Sequence, residues 1–113
     1  MKTVNKMCFQ GDVCFRRIDA LPADAVEQKA DGRIVVAHSE TGHHHAIDAG
    51  EAKLFERAQR NPMICFLSIG GDYADVVHHR SHDTHETVRL LRGCWEVRRQ
   101  REHTPEGWRR VED

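Results

Sequence analysis

Hydrophobic and polar positions alternate along the chain in short stretches, with turn signals about every ten residues. The run Met7–Ile18 predicts a first strand, with Gly11-Asp12 as a bend or bulge. Val13 and Phe15 share one face of it, Cys14 and Arg16 the other. Leu21-Pro22-Ala23-Asp24 interrupts the pattern, and Ala23–Ala30 reads as one short helical turn or a polar loop before the turn Asp31-Gly32. Arg33–Ser39 groups Ile34, Val35 and Val36 and predicts a strand. Thr41-Gly42 is a turn, and His43–Asp48 a further strand. Ala49–Arg60 fits a helical face through Leu54, Phe55 and Ala58, and strand alternation through Ala52, Leu54 and Ala58. The architecture favours the extended form, which Asn61-Pro62 ends.

Met63–Ile69 is the most apolar segment and predicts a central buried strand. Gly70-Gly71-Asp72 predicts a tight turn, with Tyr73–His79 returning as the hairpin partner. Arg80–Glu86 is a polar loop, Thr87–Leu91 a strand, Arg92-Gly93 a turn and Cys94–Glu102 a final strand. The turn Thr104-Pro105-Glu106-Gly107 and a short tail follow. Such spacing predicts an all-β or mainly β fold: one domain over residues 1–113, a small antiparallel barrel or sandwich.

Composition narrows the function classes. The 113 residues carry 17 Lys+Arg against 18 Asp+Glu, a net charge of -1, which excludes a strongly basic nucleic-acid coat and a strongly acidic mimic. The N-terminal segment lacks the apolar run of a signal peptide, and no stretch approaches the roughly 20 apolar residues of a membrane span. The expectation is a cytoplasmic protein with no membrane association. Cys8, Cys14, Cys65 and Cys94 each precede an apolar or aromatic residue or sit in an apolar run, and none forms a CxxC pair. They read as buried, reduced thiols.

The nine histidines depart most from ordinary composition, and eight of them fall between His38 and His85. In an extended His43–Asp48, His43, His45 and Ile47 share a face, and the apolar Ile47 turns that face inward. An inward HxH offers two neutral imidazoles to one Zn, Fe, Ni or Cu ion. A second cluster runs from His78 to Glu86. There His82 and His85 stand close enough to chelate together, and Asp83 or Glu86 could ligate, orient a histidine or act as general base on metal-bound water. His78 and His79 point to opposite faces, so at most one joins a common site.

Two resemblances follow from these motifs. His82-x3-Glu86-x6-Gly93 resembles the second half of the first cupin motif, although Arg80 stands where that motif has a histidine and no second motif is present. This resemblance implies a small β-barrel. Gly11-Asp12-Val13, the TGHxH run Thr41–His45, HxxH at His82–His85 and GxWxVxRQRE at Gly93–Glu102 together resemble a family of small uncharacterised bacterial and phage-associated proteins. That resemblance covers most of the chain. It implies that His43, His45, His82 and His85 are the family-type histidines, and it attaches no activity to them. Trp95 and His103 stand where that family tends to have tyrosine.

Near the C-terminus, seven arginines from Arg89 to Arg110 interleave with five acids and with Trp95 and Trp108. Arginine beside aromatics is the footprint of nucleic-acid binding, whereas interleaved acids make a salt-bridged outer strand. If Trp95 and Val97 face the core, Arg99 and Arg101 continue that face while Glu96, Arg98 and Gln100 face out. No serine sits in a nucleophile elbow and no glycine-rich phosphate loop is present.

The expectations are therefore three. The first is a transition-metal protein (Zn, Fe or Ni) whose ligands are His43, His45, His82 and His85. If it is an enzyme, metal-assisted hydrolysis or dioxygen chemistry would use Glu86 as base. The second is a non-enzymatic module that binds nucleic acid or a protein partner through the arginine-rich C-terminal strand and Trp108. The third is a homodimer paired through edge strands, its histidines lining a polar surface.

Overall fold

The computed structural model describes residues 1–30, 33–37, 44–78, 86–99, 101–104 and 107–110, with backbone only for 48–49 and from 101 onward. Every regular element among these residues is a strand. They are β1 (Lys2–Val4), β2 (Met7–Gln10), β3 (Val13–Ile18), β4 (Ala25–Gln28), β5 (Val35–Ala37), β6 (His45–Arg57), β7 (Ile64–His78), β8 (Val88–Arg99), β9 (Arg101–Thr104) and β10 (Gly107–Arg110). The all-β expectation holds. The first eight strands form one sheet with the path β2-β3-β8-β7-β6-β4. To it β5 adds beside β6 and β1 beside β8. All its pairings are antiparallel except β1 with β8, which is parallel.

Three long strands, β6, β7 and β8, carry the architecture, and each bends once. In each, the inward-facing positions jump by an odd step of five: Ile47 to Ala52, Ile69 to Ala74 and Leu90 to Trp95. Strict alternation allows only even steps, so each strand holds an extra residue at the bend, as in a β-bulge. The register shift between Ile47 and Ala49 marks the extra residue of β6, and those between Gly50 and Ala52 and between Ile69 and Tyr73 both mark the bend of β7. Gly50 has φ 101° and Gly93 φ 138°, both disfavoured for any residue with a Cβ. At Gly50 an added Cβ would also lie 2.6 Å from the Cα of Ala74 on the neighbouring strand.

The aligned bends fold the sheet over itself into an open, sandwich-like arrangement. Cys65 on the first half of β7 donates to the carbonyl of Val36 on β5, and Gln10 of β2 reaches the carbonyl of Val76 on the second half of β7. Between the halves lies one core that includes Phe15, Leu67, Leu90, Trp95 and Val97, all at most 1% exposed. Burial of such side chains contributes about 1.5–3 kcal/mol each. The indole N–H of Trp95 donates to the carbonyl of Leu91 at 2.9 Å, so the largest core residue buries no unsatisfied donor.

Several sequence expectations need correction. Gly11-Asp12 is a two-residue hairpin turn between β2 and β3, with Gln10 opposite Val13. Gly70-Gly71-Asp72 and Arg92-Gly93 make no turns; they lie within β7 and β8 as bends, because the flanking residues keep pairing with the same neighbours. Ala23–Ala30 holds the strand β4, paired with β6. Residues 45–57 form one continuous strand, which settles Ala49–Arg60 as extended over most of its length. The tail contains β10, which forms a separate two-stranded sheet with β9. No helix among the described residues is long and apolar enough to cross a membrane.

Candidate metal centre

Of the histidines read as ligands, His45 lies among the described residues, whereas His43, His82 and His85 lie outside them. His45 opens β6 and faces inward on the same side as Ile47, as its alternation predicts. Its partner across the ladder is His78, the last residue of β7. Directly opposite residues in an antiparallel pair project to the same face. The two imidazoles stack with centroids 3.8 Å apart and planes 11° from parallel. They are 2% and 0% exposed.

The β2–β3 hairpin completes the surroundings. Gln10 alternates with Cys8 on the inward face of β2 and is itself buried. Its amide nitrogen donates to the carbonyls of Val76 (2.9 Å) and Glu86 (3.0 Å). Those two acceptors fix the amide orientation, so Gln10 Oε1 must accept from His45 Nδ1–H at 2.8 Å. His45 Nε2 then faces Asp12 Oδ1 at 3.8 Å. Asp12 comes from the hairpin turn and is 5% exposed; its other oxygen lies 3.9 Å from Arg99 Nη2. Arg99 continues the inward face of Trp95 and Val97, as the alternation of the last long strand predicts.

Sequence reasoning missed Gln10 and Asp12. Their signal was available: a polar residue alternating with inward Cys8, and an acid in a two-residue turn. Glu86, the candidate base, has a side chain 60% exposed, and its Oε2 lies 3.1 Å from the N-terminal ammonium of Met1. Among the described residues no three His, Cys, Asp or Glu side chains converge to hold a metal ion. The cysteines are free thiols. Burial pushes Cys65 up to about 12 and Cys8 to about 11, and burial is also the main cause that raises Cys14. None of these three is a ready thiolate. On the outer face, Arg16 and Arg98 both pair with Glu96, so this part of the arginine-rich strand is salt-bridged.

Residues 9–100 match the model of a family described as a domain of unknown function, DUF8820. The matched stretch contains Gln10, Asp12, His45, His78 and Arg99. No curated protein and no solved structure matches the chain.

Proposed function

The chain belongs to the DUF8820 family, and for this member we propose that the end of the sheet at His45 binds a single transition-metal ion. The observation that carries the proposal is the pair His45 Nε2 and Asp12 Oδ1, facing each other at 3.8 Å while Gln10 holds the other ring nitrogen. Metal-binding histidines almost always donate their second N–H to a carbonyl, carboxylate or water, which fixes the tautomer and raises ligand basicity. Bonds of about 2.1 Å to nitrogen and to oxygen span at most about 4.2 Å, so the gap admits an ion with a small closing motion.

The stacking assigns different roles to the two rings. A ligand lone pair lies in its ring plane, and two parallel planes 3.8 Å apart cannot both contain one ion. His45 is therefore the ligand and His78 its brace. The register of His45 with His78 puts the start of β6 and the end of β7 at the same end of the sheet, and the sequence segment next to each is rich in histidine. His43, His82 and His85 belong to those segments and are the proposed remaining ligands. Imidazole and carboxylate together suit Zn, Fe or Ni.

The test is metal content by mass spectrometry on tag-free protein purified without a nickel column. Near-stoichiometric metal is expected, falling at least tenfold in His45→Ala and in a double His43→Ala, His82→Ala variant. His78→Phe, which keeps an aromatic brace, should retain it. Protein that is metal-free and takes up no added Zn, Fe(II) or Ni would refute the proposal.

A further inference from the structure

The arginine-rich segment divides at the end of β8. Within β8, Arg98 pairs with Glu96 and Arg99 stands beside Asp12, so both charges are met inside the main sheet. The strands β9 and β10 are placed differently. They pair with each other in a separate two-stranded sheet, apart from the eight strands of the main one. This hairpin also lies outside residues 9–100, the stretch that matches the family. A lone pair of short strands is marginal in water and gains stability from what it packs against. Its register sorts residues that interleave in the sequence. Arg101 stands opposite Arg110 and His103 opposite Trp108, while Glu102 stands opposite Arg109. Opposite residues of an antiparallel pair share a face, and so do residues two apart along a strand. One face therefore holds Arg101, His103, Trp108 and Arg110, with no acid among them. The other holds Glu102 and Arg109, opposite charges set across the ladder. Like charges directly opposite destabilise a strand pair. Arg101 and Arg110 are such a pair, and an anion between them turns the repulsion into attraction.

We propose that this face of the β9–β10 hairpin binds single-stranded nucleic acid, with phosphate at Arg101 and Arg110 and a base stacked on Trp108. Such binding combines cations that track the backbone with aromatic rings that take the bases, and the register sets one pair of each side by side. The two pairs are neighbours on the face, about 6.6 Å apart at about 3.3 Å per residue, so one nucleotide reaches from its phosphate at the arginines to its base at Trp108. A duplex keeps its bases stacked on one another and offers Trp108 no ring face. A lipid surface offers phosphates, but the face holds no aliphatic residue to enter it. The inference is independent of the metal ion, because the hairpin shares no residue with the proposed ligands.

The test titrates the full chain, treated with a chelator, with a ten-nucleotide oligothymidylate, and follows tryptophan fluorescence together with the anisotropy of a fluorescein-labelled copy of the probe. The chain has two tryptophans and Trp95 is sealed in the core at 0% exposed, so quenching reports Trp108. Saturable binding with quenching is expected at about 50 mM salt, with log K falling against log salt at a slope of about -1.4, the value for two phosphate contacts on a single strand. Trp108→Ala should weaken binding about 5- to 150-fold, the factor for one stacked base. Arg110→Gln should halve the salt slope, whereas Arg109→Gln, the same charge change one residue earlier on the other face, should leave it unchanged. All three positions lie outside the main sheet, and an unchanged urea midpoint shows that the sheet stays folded in each variant. The proposal is overturned by no saturable binding at low salt, by binding without quenching, by equal effects of Arg109→Gln and Arg110→Gln, by a ten-base-pair duplex binding as tightly, or by phosphatidylserine vesicles taking the protein in preference to the oligonucleotide.

Discussion

Replacing Gln10 by methionine keeps an unbranched chain of similar length inside the fold and removes every polar atom from it. Three hydrogen bonds disappear: those to the carbonyls of Val76 and Glu86, and the one from His45 Nδ1. Each is worth about 1 kcal/mol net, which sets a floor near 3 kcal/mol. The bonds to Val76 and His45 are fully buried, so their partners are left orphaned at about 1–3 kcal/mol each, whereas the Glu86 carbonyl is only part-buried and can turn to water. The expected loss is about 3–5 kcal/mol. Small domains have about 5–15 kcal/mol in total, so the variant should fold but unfold at much lower urea. The assay is urea denaturation followed by tryptophan fluorescence, with the m-value checked for constancy. Gln28→Met is the matched control: Gln28 donates to Val26 two residues away at an exposed site, and its change should cost under about 0.5 kcal/mol. A loss below about 1 kcal/mol for Gln10→Met would refute the claim that this side chain ties β2 to the His45 end.

Gly50→Ala should destabilise by at least about 2 kcal/mol in the same assay, because it combines a positive φ with a clash against β7; a loss under about 0.5 kcal/mol would show that the bend needs no glycine. Trp95→Ala should cost about 3–5 kcal/mol and Met7→Ala, at an exposed position, under about 0.5; equal effects would contradict the assignment of inner and outer faces. Above its ordinary value of 9.0 the Cys65 thiol ionises in the unfolded chain, while the folded protein keeps the proton up to about 12. The native state then binds more protons, so stability falls with rising pH by about 1.4 kcal/mol per pH unit across that window. Cys65→Ala should remove this component, and an unchanged alkaline slope would refute it.

Residue alternation made the inward faces legible wherever a strand runs straight. His45 with Ile47, and Trp95 with Val97 and Arg99, fall where period two places them. The same rule misled at the bends. An odd step in the apolar pattern beside Gly50, Gly70-Gly71 or Gly93 looks like the end of one strand and the start of another, whereas a bulge shifts the phase and lets the ladder continue. Long strands were thus read as hairpins. Partnership across strands was also out of reach: that His78 stacks on His45 depends on the register of β6 with β7. Gln10 and Asp12 matter only because the fold brings β2 under β7, a contact that no local pattern announces.

The position of β8 has a consequence for how the chain reaches this fold. It is the last strand of the main sheet in sequence, yet it pairs with β1, β3 and β7. Lys2 lies beside Val88, and Val13 opposite Arg99, each pair separated by 86 positions. Until those last residues emerge during synthesis, β1 and the β2–β3 hairpin have no neighbour in the sheet, and the edges of β3 and β7 that β8 will cover stay open. Topologies dominated by such distant pairings fold on the order of milliseconds to seconds. The nascent chain therefore passes through an interval in which Phe15 and Leu67 lack their cover, and in that interval the protein is most open to association with other chains.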